Sequence, residues 1–145
     1  MPGVEEMVRE LWARAQVAEL PMRYARGVDR RDWDLVRACF SADAFVDGTR
    51  STGPVDDYLA ELRPAVERWA ATMHVMANQL VSIEGERASM ETYAVAFHWA
   101  VAPAGSPSPD NLIVGVRYHD EVSFLEGGWV ITRRVVSGDW SVAGT

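Results

Sequence analysis

Apolar residues recur at near-helical spacing over the opening stretch of the chain: Val4, Met7, Leu11, Trp12, Ala15, Ala18, Leu20 and Met22. The period is close to one helical turn and predicts an amphipathic helix from Val4 to about Arg26, with Glu5 and Glu6 in its first turn. Pro21 is expected to kink or divide this helix, and Gly27 to cap its end. Asp32 suits the N-cap of a short helix from Trp33 to Phe40. Ser41 to Val46 reads as a turn into a short strand, and Gly48 to Pro54 as a loop. Val55 to about Trp69 reads as a third helix, interrupted or kinked by Pro64.

The second half of the chain changes character. Met73 to Ile83 is a strand, followed by a hairpin turn at Glu84 to Arg87. Ala88 to Ala102 alternates cleanly, with Met90, Thr92, Ala94, Ala96 and His98 on one face and Tyr93, Val95, Phe97 and Trp99 on the other. Pro103 to Pro109 is an exposed loop. It could lid a cavity, complete a neighbour's site or merely connect strands. Leu112 to Leu125 and Trp129 to Val142 are two further strands around Glu126 to Gly128. Helices first and an antiparallel meander afterwards make an α+β layout in one domain, residues 1–145. A strongly curved sheet wrapped against helices forms a cone with an apolar mouth, a natural small-molecule site.

Bulk properties narrow the partners. With 48% hydrophobic and 24% charged residues the chain is an ordinary globular one. A formal charge of −7 argues against nucleic acid and against an anionic membrane surface, both of which need clustered basic groups. No apolar run is long enough to span a bilayer. The opening Met-Pro-Gly-Val-Glu-Glu has neither the basic start nor the apolar run of a signal peptide, so a cytoplasmic location is the expectation. Cys39, the one cysteine, sits at helical spacing among apolar residues and reads as a buried reduced thiol.

The chemistry concentrates in two segments about forty-five residues apart, Tyr24-Ala-Arg-Gly-Val-Asp29-Arg-Arg-Asp-Trp33 and Met73-His74-Val-Met-Ala-Asn78. A carboxylate that orients an imidazole makes a general base that works near neutral pH. Asp29 and His74 are the residues of interest, though each alone is more often structural: a cap or loop acid, and a satisfied core histidine. His74 is expected to share a strand face with Met76, Asn78 and Leu80. His98 follows small residues on its own face, which leaves room for a ligand; a structural pairing is the bland alternative. Tyr24 could donate a proton or polarise a carbonyl, or simply edge the core. His119 reads as exposed. Only one of Arg133 and Arg134 can face inward, and that one needs a carboxylate or an anionic ligand. Zinc-ligand spacing, a phosphate-binding glycine loop and a nucleophile elbow are not found, so no metal and no cofactor is expected.

These residues resemble the SnoaL-like group of the nuclear transport factor 2-like superfamily, which is related to scytalone dehydratase, bile acid 7α-dehydratase, hexachlorocyclohexane dehydrochlorinase, ketosteroid isomerase and polyketide cyclases. The resemblance runs through Arg-Tyr-Ala-x-x-x-Asp29-x-x-Asp-Trp33, Met73-His74, Asn78, Thr92-Tyr93 to His98, and Gly-Gly-Trp129-x-Ile with Arg134 and Asp139-Trp140. It implies a cone-shaped α+β barrel with N-terminal helices on a curved, mostly antiparallel mixed sheet. It also implies an Asp29–His74 base pair, with Tyr24 polarising the substrate and His98 at the place of a second catalytic group. Asn78, Arg134, Met76 and Trp33 are then the expected substrate contacts. Phe124 and Leu125 stand near the place of the dehydrochlorinase arginine, which speaks against dehalogenation.

The leading expectation is a cofactor-independent lyase, a dehydratase acting on a small apolar or polyketide-like substrate. An isomerase or cyclase using the same pair is the first alternative, and a non-catalytic binding module the second. Six tryptophans supply apolar surface for a homo-oligomer, a dimer or trimer.

Overall fold

A computed structural model describes residues 1–144. The helices are α1 (Val4–Arg30), α2 (Trp33–Ala38) and α3 (Val55–Glu67); the strands are β1 (Phe40–Asp47), β2 (Thr52–Pro54), β3 (Ala71–Glu84), β4 (Arg87–Trp99), β5 (Leu112–Leu125) and β6 (Gly128–Ala143). They form one six-stranded sheet in the order β2-β1-β6-β5-β4-β3. β1 runs parallel to β6 and every other pair is antiparallel. The sheet does not close: β2 and β3 are its edges, and the helices lie across its inner face. This is the α+β cone expected from the sequence.

Two helix expectations change. Pro21 neither ends nor divides α1, which runs on through Arg30 with Pro21 buried. Packing of Ala13, Val17, Leu20, Tyr24 and Val28 against the sheet offsets the hydrogen bond that a proline inside a helix removes. Gly27 is not the cap. It lies inside the helix, where a Cβ would stand 2.6 Å from Val36 Cγ2 and 3.0 Å from the Asp32 carbonyl oxygen, so the absent side chain lets α2 fold back closely. Arg31 ends the helix instead. Asp32 does cap α2, accepting from the Leu35 amide at 3.1 Å.

Register decides which residues face the cavity. The β5–β6 turn holds Glu126 and Gly127 both at positive φ, as a two-residue turn matched to strand twist requires. β4 alternates as its sequence predicts, turning Ala94, Ala96 and His98 inward. β3 breaks its alternation between Met76 and Gln79, where one extra residue is inserted. Beyond the bulge Gln79, Val81 and Ile83 turn inward, while Asn78 and Leu80 are exposed. Similar shifts in β6 turn Arg134 inward and leave Arg133 outside, stacked on Phe45. Among the described residues no helix is long and apolar enough to cross a membrane.

The Pro103–Pro109 loop is mostly exposed, and Asn111 ties it down. The Asn111 side-chain oxygen accepts from the Ala100 amide at 2.9 Å, and its side-chain amide donates to the Ser106 carbonyl at 2.9 Å.

Candidate active site

The last turn of α1 and the first residues of β3 converge. Thr72 and His74 alternate inward on β3, opposite His98 and Ala96 of β4 in the antiparallel register. The small side chains of Ala94 and Ala96 leave space for two imidazoles on this face, and the His74 and His98 ring centres lie 6.1 Å apart, edge to face.

Asp29 reaches β3 from the helix end. Its Oδ1 accepts the Thr72 hydroxyl at 2.9 Å and meets His74 Nδ1 at 2.7 Å, while its Oδ2 accepts the His74 amide at 2.8 Å. An ionised carboxylate only accepts, so His74 Nδ1 carries the hydrogen, and in the neutral ring Nε2 holds the free lone pair. Both side chains are largely shielded, at 9% exposure for His74 and 19% for Asp29. Burial alone would raise the Asp29 carboxyl; the hydrogen bonds and charge of His74, with the Thr72 hydroxyl, outweigh it and hold the group below its ordinary value.

His98 is fixed by a different acceptor. Its Nδ1 lies 3.1 Å from the Leu112 carbonyl oxygen, which again assigns the hydrogen to Nδ1. Its ring is also tilted against Trp69, with centres 5.2 Å apart. Burial, opposed by that carbonyl and reinforced by the neighbouring His74, lowers its pKa, which favours the neutral ring.

His74 and His98 line a cavity of about 230 Å³, together with Tyr24, Tyr58, Trp69 and Tyr118 and a wall of Val28, Val114 and Val116, while Asp29 and Thr72 stand behind His74, outside the lining. Burial raises Tyr24 well above the usual phenol range and raises Tyr58 too, with Arg134 pulling both back. They remain protonated at neutral pH and so stay donors. A wider groove of about 470 Å³ between the first half of α1 and the hairpin ends holds carboxylates and Arg9 but no histidine. Among the described residues no three His, Cys, Asp or Glu side chains are grouped to hold a metal ion.

The structure thus brings Asp29, His74, His98 and Tyr24 to one place. The four expected substrate contacts fall elsewhere. Asn78 is carried to the outer face by the β3 bulge. Trp33 donates its indole N–H to Glu67 at 2.9 Å at the surface, because α2 packs outside the cavity. Met76 faces inward but packs on the hydrophobic core rather than the cavity lining. Arg134 is wholly buried, with Nε 2.7 Å from Asp120 Oδ1 and Nη2 2.9 Å from Oδ2, beneath the rings of Tyr24 and Tyr118 at 4.4 Å each. The carboxylate that an inward arginine needs is supplied from within. His119 is exposed, as expected, beside Glu91 at 3.3 Å.

Sequence reasoning passed over Tyr58, Trp69, Tyr118, Thr72 and Arg31. The first and third were findable: Val55, Tyr58, Leu62 and Val66 recur at helical spacing, and Tyr118 shares the inward alternation of Leu112, Val114 and Val116. Thr72 and Arg31 gave no signal, because their roles depend on contacts between distant elements.

Comparison with known proteins agrees with the architecture. An uncharacterised protein of Mycobacterium tuberculosis is 27% identical over 136 residues, 88% of this chain and 86% of that one. A putative scytalone dehydratase of Novosphingobium aromaticivorans superposes with a TM-score of 0.79 at 16% identity, covering 94% of this chain and 90% of that one. A hexachlorocyclohexane dehydrochlorinase of Novosphingobium barchaimii gives 0.79 at 16% identity, over 94% and 92% of the two chains. At these identities the two structures speak for the fold alone. Residues 9–135 match the model of the SnoaL-like domain, and with its open cone of nuclear transport factor 2-like fold the chain belongs to the SnoaL-like family.

Proposed function

We propose that this protein is a cofactor-independent lyase of the dehydratase kind, acting on a small, largely apolar β-hydroxy carbonyl compound. One observation carries the reading: the 2.7 Å contact between Asp29 and His74, with the carboxylate accepting three hydrogen bonds beside an apolar cavity. His74 Nε2 takes the proton from the carbon next to the carbonyl. Asp29 keeps the ring in the tautomer that frees Nε2 and stabilises the imidazolium that forms. The carbonyl oxygen, gaining charge, accepts from the phenols of Tyr24 and Tyr58, which both line the cavity. His98, neutral and donating through Nδ1 to Leu112, accepts the substrate hydroxyl at Nε2 and orients it. The carbon–oxygen bond then breaks, the electron pair returns to form the double bond, and the proton on His74 leaves with the hydroxyl as water. Acid–base steps contribute about 10²–10⁴-fold each, and positioning in the cavity supplies the rest.

His74→Ala tests this against a panel of β-hydroxy carbonyl compounds, followed by the loss of one water in mass. The variant should fold and show no turnover. Wild-type rates in that variant would end the proposal, whereas a product of unchanged mass in the native protein would convert it to an isomerase.

The reading includes self-association through the outer face of the sheet. Met73, Val75, Tyr93, Phe97, Trp140 and Val142 stand on that face, and all but Phe97 are clearly exposed. Such apolar area marks an interface. Phe97→Glu should convert an oligomer to monomer by light scattering; a monomeric native protein would refute the assembly and leave the chemistry standing.

A further inference from the structure

Arg31 occupies a position that its backbone would leave to glycine. It ends α1 at φ 60° and ψ 27°. In that left-handed region a Cβ crowds the following carbonyl, and glycine is the usual terminator. The side chain supplies the reason for an arginine. Its Nη1 donates to the Val28 carbonyl at 2.8 Å and to Thr72 Oγ1 at 2.9 Å, and its Nη2 to the Val66 and Trp69 carbonyls at 3.3 and 3.4 Å. One guanidinium therefore ties the end of α1 and the end of α3 to the start of β3.

Its bond to Thr72 has a consequence for Asp29. With Arg31 donating to Oγ1, the Thr72 hydrogen is left for the Asp29 carboxylate, which it meets at 2.9 Å. Arg31 thus donates to Thr72 and Thr72 to Asp29, where the hydroxyl and the His74 Nδ1–H converge on one carboxylate oxygen, and the bond from Arg31 polarises the hydroxyl that Asp29 accepts. We infer that Arg31 and Thr72 are positioning residues, which hold the Asp29 carboxylate ionised and aimed at His74. The meaning of this inference rests on the proposed base pair; the measurement that tests it does not.

The other groups facing Asp29 act differently. His74 donates to it directly; His98 from β4 and Tyr118 from β5 reach it only through space; Glu67 of α3 faces Arg31 rather than Asp29. Removing the Thr72 hydroxyl, or the arginine that orients it, takes a donor from a half-buried carboxylate while the remaining neighbours stay. Asp29 should then take up its proton at higher pH.

The experiment is a carboxyl-carbon NMR titration of Asp29 in the native protein and in Thr72→Val, Thr72→Ser and Arg31→Gly. The midpoint should move up in Thr72→Val and Arg31→Gly and stay native in Thr72→Ser, which keeps the hydroxyl. Arg31→Gly also relieves the backbone, so its helix end should survive by circular dichroism; if it does not fold, Thr72→Val carries the test alone. A native midpoint in folded Thr72→Val overturns the inference. Should turnover be found, Thr72→Val should lower kcat with KM held, and an unchanged kcat would equally overturn it. Failure of the dehydratase reading would show instead as absent turnover in the native protein, with the Asp29 midpoints still shifting.

Discussion

Cutting Asp120 back to alanine removes the partner of a cation that has no route to water. Arg134 and Asp120 are both at 0% side-chain exposure, joined by two bonds of 2.7 and 2.9 Å. The remaining nitrogen, Nη1, already lacks a hydrogen-bond partner. The rings of Tyr24 and Tyr118 at 4.4 Å give the guanidinium cation–π contact, about 2 kcal/mol or more when desolvated, but they accept no hydrogen bond from the nitrogens that Asp120 holds and do not neutralise the charge. Losing one member of such a pair costs roughly 3–5 kcal/mol, a large part of the roughly 5–15 kcal/mol that holds a domain folded. For 145 residues the unfolding entropy is about 0.3 kcal/mol per degree, so the midpoint should fall by about 10–15 °C. Urea unfolding of native protein, Asp120→Ala, Arg134→Met and the double variant closes a thermodynamic cycle. The double variant should lose less than Asp120→Ala alone, because no charge is left stranded. An Asp120→Ala cost below about 1 kcal/mol would refute the reasoning, since it would mean that water or another acceptor reaches Arg134.

Two further predictions concern α1. Because Asp29 sits below its ordinary value in the folded protein, its contribution is present above the unfolded carboxyl pKa, about 3.9, and is lost as pH falls through the lower folded value. The stability gap between native protein and Asp29→Asn should therefore be wide at neutral pH and close in acid; a gap that does not change with pH in denaturant titrations would contradict the shift. Gly27→Ala improves helix propensity by about 1 kcal/mol but drives a methyl against Val36, which is fully buried, and against backbone at Asp32. Overpacking of about 1–3 kcal/mol should win, lowering the unfolding midpoint, and a stabilised variant would show that α2 can shift aside.

Much of the fold was legible because it rests on local periodicity. The alternation of β4 placed His98 and its small neighbours on the inner face, and the structure keeps every one of those assignments. Asp32 read correctly as a cap, since the chemistry of an N-cap lies within three residues. The choice between Arg133 and Arg134 stayed open in the sequence, because a bulge in β6 decides which of them turns inward. For Asn78 a bulge did more, since one inserted residue moves everything beyond it to the opposite face. The end of α1 was misplaced for a related reason: whether Gly27 caps a helix or admits a neighbouring one depends on what packs against it.

By itself the sequence determined the order and type of most elements, the α+β layout, and the two segments that carry the acid and the histidine. Those properties come from spacing and side-chain chemistry along a short stretch of chain. Only the tertiary structure decided that the carboxylate of Asp29 meets Nδ1 of His74, that Tyr58 joins Tyr24 in the same cavity, and that Arg134 spends its charge on Asp120 instead of a ligand. Each of these joins residues on different elements, and its geometry is set by strand register, bulges and helix packing that no local pattern encodes.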